Sequence, residues 1–245
     1  MSDSHATGTH VAGLAHQFDD IEQQRDAGTL GMWLFLSTEI LFFGGMFAGY
    51  TIYRNIHLAG FVAGSHILNI KLGATNTAVL IGSSLTMALA VHAAQLGKRK
   101  ALITFLLLTM LLGLVFLGIK YKEYHDKYME QLIPCQSVAC SDVGFKFDPV
   151  SAPEGKEAME WIEKFRAPLP EVELFFCFYF FMTGMHAVHM IIGLGIMTVL
   201  VVQAGRGRFE GGYYSPVEIS GLYWHFVDIV WIFLFPLLYL IGGRY

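Results

Sequence analysis

The chain has 245 residues, of which 54% are hydrophobic and only 15% are charged. A mean hydropathy of +0.50 is typical of a polytopic membrane protein. The formal net charge of −4 is spread over the polar segments, and this distribution gives no indication of a nucleic-acid partner.

Five stretches are long and apolar enough to cross a membrane as helices. A hydrocarbon layer about 30 Å thick needs roughly 20 mostly apolar residues per helix, and backbone amides in lipid must bond within the protein. The predicted fold is therefore all-α, a bundle of five transmembrane helices. The predicted spans cover residues 30–53, 74–96, 101–121, 172–203 and 219–242.

Residues 1–29 form a polar, acidic tail, and residues 30–245 form the predicted transmembrane domain. The tail lacks the basic and then apolar order of a cleavable signal peptide, so the first span is expected to act as its own insertion signal. Basic residues at 97–100 and at Arg206 and Arg208 mark cytoplasmic loops under the positive-inside rule. This predicts a cytoplasmic N-terminus and an extracytoplasmic C-terminus.

A long polar segment, residues 122–170, separates the third and fourth spans and is predicted to be extracytoplasmic. Cys135 and Cys140 lie close together within it. A disulfide is the natural use of such a pair on the oxidising side of a membrane. Half of a metal site is the alternative, although no second cysteine pair lies near in sequence.

The same segment contains one predicted surface helix, in which Ala158, Ile162 and Phe165 recur at helical spacing. Trp161, Ile162 and Phe165 would form an exposed apolar patch, and such a patch usually contacts something. We therefore expect this helix to pack on another subunit or on a cytochrome c domain at the outer face. The alternative is a helix that folds back on its own loop.

Ionisable side chains occur within or at the ends of all five spans, although each is costly in lipid unless it is paired or hydrated. His186 and His189 are three residues apart and share a helical face. Glu218, His225 and Asp228 form one stripe on the fifth span. The predicted buried polar network consists of Glu39, His92, Glu123, His186, His189, Glu218, His225 and Asp228.

Three interpretations of this network remain open. It is a structural network that joins helices, a route for protons, or a metal centre built from His-x-x-His and facing carboxylates. The spans lack the repeated Glu-x-x-His pair that such metal centres use, and no Cys-x-x-Cys-His is present for covalent haem. Glu39 and Asp228 have no Lys or Arg at the same depth, so each is expected to bond to an imidazole or hydroxyl of another helix.

Five motifs, one for each span, carry a family resemblance. They are GMWLFLSTEILFFGGMF from Gly31, TNTAVLIGSSLTMALAVH from Thr75, GLVFLGIKYKEY from Gly113, TGMHAVHMIIG from Thr183 and VEISGLYWHFVDIVW from Val217. Together they resemble subunit III of the haem-copper terminal oxidases, the cytochrome c oxidase subunit III family. The N-terminal tail and most of residues 122–170 are not covered by the resemblance.

The resemblance implies an accessory subunit without catalytic residues or a redox centre of its own, packed beside catalytic subunit I of a bacterial oxidase in the inner membrane. Haem and copper would then lie in partner subunits. The subunit would stabilise its catalytic partner and support proton uptake, and the position of Glu39 would be a buried carboxylate. Residues 122–170 could contact a cytochrome c domain or a supercomplex subunit.

The resemblance also implies phospholipid in clefts between the helices. Two N-terminal helices of the family's seven-helix pattern are missing, which should leave a groove. Trp33 and Trp224 suit headgroup depth and are predicted to face lipid there. Thr29 stands where many relatives have Lys or Arg. The competing hypotheses are a nitric oxide reductase accessory subunit, an independent proton-conducting or transport protein, and a membrane di-metal enzyme.

Overall fold

The computed structural model describes residues 17–134, 147–152, 155–209 and 214–241. Within these ranges the chain is helical apart from turns and one isolated β-bridge. The helices are α1 (Ile21–Ile56), α2 (Leu58–Ile67), α3 (Ile70–Gln95), α4 (Arg99–Met129), α5 (Lys156–Lys164), α6 (Leu169–Gly205) and α7 (Ser215–Phe235), and a π-helix (Pro236–Leu240) continues α7.

The five predicted spans are confirmed as helices. By length and composition, α1, α3, α4, α6 and α7 with its π-helical end are apolar enough to cross a membrane. The all-α prediction is confirmed in the described part of the chain. Each helix also extends beyond the apolar stretch that predicted it, because polar residues continue the helical hydrogen bonding outside the hydrocarbon layer.

The first helix shows this extension most clearly, since it begins within the predicted polar tail. The Asp20 side chain accepts a hydrogen bond from the Gln23 amide at 2.6 Å. The Gln23 side chain in turn accepts from the Asp19 amide at 2.8 Å. This reciprocal capping satisfies two otherwise unpaired amides and fixes the start of α1.

The short helix α2 was not predicted, because it is too short to span a membrane and has no polar face. It packs on α6 through glycines spaced one turn apart. A Cβ atom on Gly60 would lie 2.3 Å from Glu171 Cβ, and one on Gly64 would lie 2.3 Å from Phe175 Cδ1. Small residues at this spacing let two helix backbones approach closely.

Helix α7 is the most buried of the five long helices. In the most apolar 18-residue stretch of α7, 56% of the residues are buried within the chain, whereas the corresponding value for α1 is 11%. The helix packs against α3, α6 and α1. Helices α3 and α4 form a tight hairpin, and Gly97 adopts a positive φ of 65° in its turn, where glycine is strongly favoured. Polar side chains on α7 therefore face other helices.

The helix of the long polar segment, α5, packs on the chain's own α2. The rings of Trp161 and Phe165 lie 4.6 and 5.0 Å from the His66 ring, and Ile162 is only 5% exposed. The prediction of an exposed apolar patch is wrong, because these side chains cover α2 instead. Cys135 and Cys140 lie outside the described residues, so their disulfide stays a prediction.

Candidate functional site in the bundle interior

The carboxylate of Glu39, on α1, meets the imidazole of His189, on α6. Glu39 Oε2 lies 3.1 Å from His189 Nε2. The other ring nitrogen, Nδ1, lies 2.8 Å from the carbonyl oxygen of Met185, one turn earlier. Phe43 packs edge-on against the imidazole, with ring centroids 5.3 Å apart. This contact is the imidazole partner that the sequence predicts for Glu39.

The bonding pattern of this pair calls for one additional proton. A carbonyl oxygen only accepts, so His189 Nδ1 carries a hydrogen and donates it to Met185. Neutral imidazole then has a bare lone pair on Nε2, and an ionised Glu39 offers only acceptors. A hydrogen bond between them needs a proton on Nε2 or on the carboxyl group. The pair is therefore chemically able to hold a proton.

A second cluster, the Lys120 cluster, consists of Lys120, Glu123, Tyr179 and Tyr239, all of them buried. Lys120 Nζ donates to Glu123 Oε2 at 2.8 Å and to the hydroxyls of Tyr179 and Tyr239 at 3.2 and 3.1 Å. The Tyr239 hydroxyl donates to Glu123 Oε1 at 2.6 Å. Every ammonium hydrogen thus has an acceptor, as a buried charge requires.

Sequence reasoning identified Glu123 but missed its partners. A usable signal was present, because Lys120 precedes Glu123 by three residues and the two share a helical face. Tyr239 is brought into place by the π-helix, in which the Ile241 amide bonds to the Pro236 carbonyl at 3.1 Å. The five-residue spacing of that bond shifts the side-chain register of α7, a change that sequence periodicity does not reveal.

The stripe on α7 contacts α3. Ser84 Oγ lies 2.7 Å from His225 Nδ1, and Gln95 Nε2 donates to Glu218 Oε1 at 3.0 Å. Glu218 and His225 are each only partly buried. His92, which the sequence places in the buried network, is exposed; that prediction is wrong, because His92 lies on the outer side of α3 near its end.

Trp224 is fully buried, so the prediction that it faces lipid is wrong. Its Nε1 donates to Ser83 Oγ at 2.9 Å. Glycines of two helices lie against the six-membered ring of the indole, and a Cβ on Gly113 or Gly193 would lie 3.0 or 2.8 Å from its carbons. Trp224 therefore joins α3, α4 and α6 to α7. Trp33 is 55% exposed, and its contact with lipid stays a prediction.

His186 and Asp228 are buried but have no hydrogen-bond partner in the described part of the chain. His186 lies between aromatic rings, 5.5 Å from Phe116 and 5.3 Å from Trp231. The Ser84 hydroxyl lies near the Asp228 carboxylate, and its oxygen is 2.7 Å from His225 Nδ1. The imidazole or hydroxyl partner of Asp228 stays a prediction, with the Ser84 hydroxyl nearby, and the carboxylate faces the protein interior.

The described residues contain no group of three or more His, Cys, Asp or Glu side chains that could hold a metal ion. Glu39 has its one ring partner, and Glu123 is already bonded to a lysine and a tyrosine. The arrangement brings polar side chains from different helices together in pairs and small clusters. Such an interior can join helices and hold protons.

Long apolar helices joined by polar pairs are typical of a multi-pass membrane protein. Here the polar pairs and clusters connect helices of the same chain. The chain belongs to the cytochrome c oxidase subunit III family, whose sequence model matches residues 19–131 and 159–243. The match includes all five long helices. The internal stretch left unmatched, 132–158, lies within the long polar segment. Members of this family are subunits of terminal oxidases in the respiratory chain.

Individual relatives cover nearly the whole chain. It is 28% identical to cytochrome bo(3) ubiquinol oxidase subunit 3 of Pseudomonas aeruginosa, over 98% of this chain and 96% of that protein. It is 29% identical to quinol oxidase subunit 3 of Bacillus subtilis, over 91% of this chain and 92% of that protein. It is also 29% identical to cytochrome c oxidase subunit 3 of Coturnix japonica, over 87% of this chain and 69% of that protein.

Proposed function

We propose that this chain is a non-catalytic accessory subunit of a bacterial haem-copper terminal oxidase, bound beside the catalytic subunit in the cytoplasmic membrane. The family match across all five long helices carries the proposal. The three relatives compared above are oxidase subunits, which favours an oxidase over a nitric oxide reductase. The haem and copper centres would belong to partner subunits, and the N-terminus would be cytoplasmic.

The exposure of α1 supports a role in assembly. Only 11% of the residues in its most apolar 18-residue stretch are buried within the chain. Most of its surface is therefore available to lipid or to a partner helix. The test is purification of the complex through a tag on this chain, followed by removal of the chain from the oxidase. We expect oxidase subunits to co-purify, and the depleted oxidase to reduce oxygen but inactivate sooner during turnover. A chain that purifies alone would contradict the proposal.

A role in supporting proton uptake is proposed for the Glu39–His189 pair, because its hydrogen bond needs one additional proton. The measurement is infrared difference spectroscopy on the purified complex, with Glu39→Gln to assign the bands. We expect either an imidazolium with a carboxylate or a neutral imidazole with a protonated carboxyl group. A neutral imidazole beside an ionised carboxylate would refute the proposal.

Phospholipid binding is proposed for a groove of about 410 Å³ between α1, α3 and α7. Apolar residues including Val91 and Leu222 line it, and its polar wall consists of Arg25, Thr29, Glu218 and His225. Arg25 lies one helical turn before Thr29 and supplies a cation to this side of α1. A guanidinium suits a phosphate group. We expect Arg25→Gln to reduce the phospholipid retained in native mass spectrometry; unchanged retention would count against this site.

A further inference from the structure

Three polar side chains in the centre of the bundle are buried without partners. Asn76 on α3, His186 on α6 and Asp228 on α7 are 0%, 1% and 2% exposed. Both polar atoms of each side chain lack a hydrogen-bond partner in the described part of the chain. Burying an unpaired polar group costs much of its solvation free energy, and lipid around the bundle supplies no alternative partner.

Each of the three residues lies within about one helical turn of a contact with Trp231 or of Trp231 itself. The His186 ring is 5.3 Å from the Trp231 ring. Trp231 Nε1 donates to Thr77 Oγ1 at 3.1 Å, which brings the neighbouring residue Asn76 to this level. Asp228 lies three residues before Trp231, less than one turn of α7. One turn rises only about 5.4 Å, so the three residues come from three helices in the same part of the bundle.

We infer that Asn76, His186 and Asp228 bind one or more water molecules at the centre of the bundle. Water suits this set because it both donates and accepts: the carboxylate accepts, the amide does both, and neutral imidazole does both. Buried water typically bonds to two to four such groups. A metal ion fits less well, since the described residues offer no cluster of three ionisable ligands.

The sign of a stability change tests this inference. Asn76→Leu keeps the number of side-chain heavy atoms but removes both polar atoms. With water present, we expect the thermal midpoint of this subunit in its purified complex to fall by about 2–4 °C, because the water and the other side chains lose a partner. In a dry interior the same change removes unpaired atoms and the midpoint rises. A rise would overturn the inference.

A second variant tests whether the three side chains share one site. Asp228→Leu should also lower the midpoint. The midpoint of the double variant should fall by less than the sum of the two single falls, because the first change has already disturbed the water that the second would affect. Fully additive falls would refute a shared site. Thr109→Val is the control, since Thr109 bonds directly to Thr86 at 2.7 Å and its loss should lower the midpoint with or without water.

If Asn76→Leu prevents assembly, Asn76→Ser decides the matter. Serine leaves room and a hydroxyl for water, so we expect the subunit to assemble. Failure of the serine variant as well would contradict the inference. Cryo-electron microscopy of the complex gives the direct observation: density within about 3.2 Å of the Asn76, His186 and Asp228 polar atoms. Well-resolved side chains with no such density would overturn it.

Discussion

Replacement of Lys120 by methionine should strongly destabilise the subunit. Methionine keeps the length and much of the packing of the lysine side chain but removes the ammonium group. Glu123, which is 2% exposed, would then keep only the Tyr239 hydroxyl at 2.6 Å. The tyrosine hydroxyls of Tyr179 and Tyr239 would each lose a donor as well.

The expected cost follows from the burial of both partners. Removing one member of a buried ion pair typically costs about 3–5 kcal/mol, because the remaining charge has no solvent to stabilise it. At about 1.4 kcal/mol per factor of ten, this lowers the ratio of folded to unfolded subunit by about 10²–10⁴. Loss of the cation–π contact between Lys120 and Trp231, at 4.9 Å from the ring centroid, adds to this cost.

A double-mutant cycle separates charge from packing. In Lys120→Met with Glu123→Gln neither side chain is charged, so we expect most of the lost stability to return. The assay follows the fraction of the subunit retained in the complex on heating. Lys122→Met is the matched control, because Lys122 lies on the same helix but is exposed. The reasoning fails if Lys120→Met is as stable as the control, or if the double variant loses the sum of both single effects.

Two further substitutions test other parts of the interior. Glu39→Gln should preserve assembly better than Glu39→Leu, because the amide can donate to the bare His189 Nε2; equal retention of both variants in the complex would contradict this. Gly64→Val should release α2 from α6, since even a Cβ at this position would lie 2.3 Å from Phe175. A Cβ at Gly118 would meet nothing within 4 Å, so Gly118→Ala should behave as wild type. Protease cleavage near α2 would report the difference.

The parts of this structure that sequence predicts are those fixed by the membrane itself. Hydrocarbon thickness sets the length of an apolar helix, and this was enough to place all five spans. The same medium makes an unpaired carboxylate costly, which is why a bond of Glu39 to an imidazole or hydroxyl could be predicted. Neither argument depends on how the helices are arranged around one another.

The remaining features depend on that arrangement and could not be read from periodicity. Trp224 has the amphipathic side chain of an interfacial residue, yet glycines on α4 and α6 leave a slot that holds it in the interior. His92 belongs to an apolar span but faces outward. Tyr239, which bonds to Glu123, lies in the π-helix that begins at Pro236. Each of these positions depends on how neighbouring helices pack or on a change of helical register.

The polar contacts also show how the least buried helix is held. Helix α1 shares little of its surface with the rest of the chain, and the Glu39–His189 bond joins it to α6. If this bond contains a proton, as proposed above, removing that proton leaves two acceptors 3.1 Å apart, which repel instead of attract. The proton would then be a structural component of the contact between α1 and α6. The Glu39→Gln substitution supplies an amide hydrogen of its own, so it keeps the contact between α1 and α6 without the additional proton.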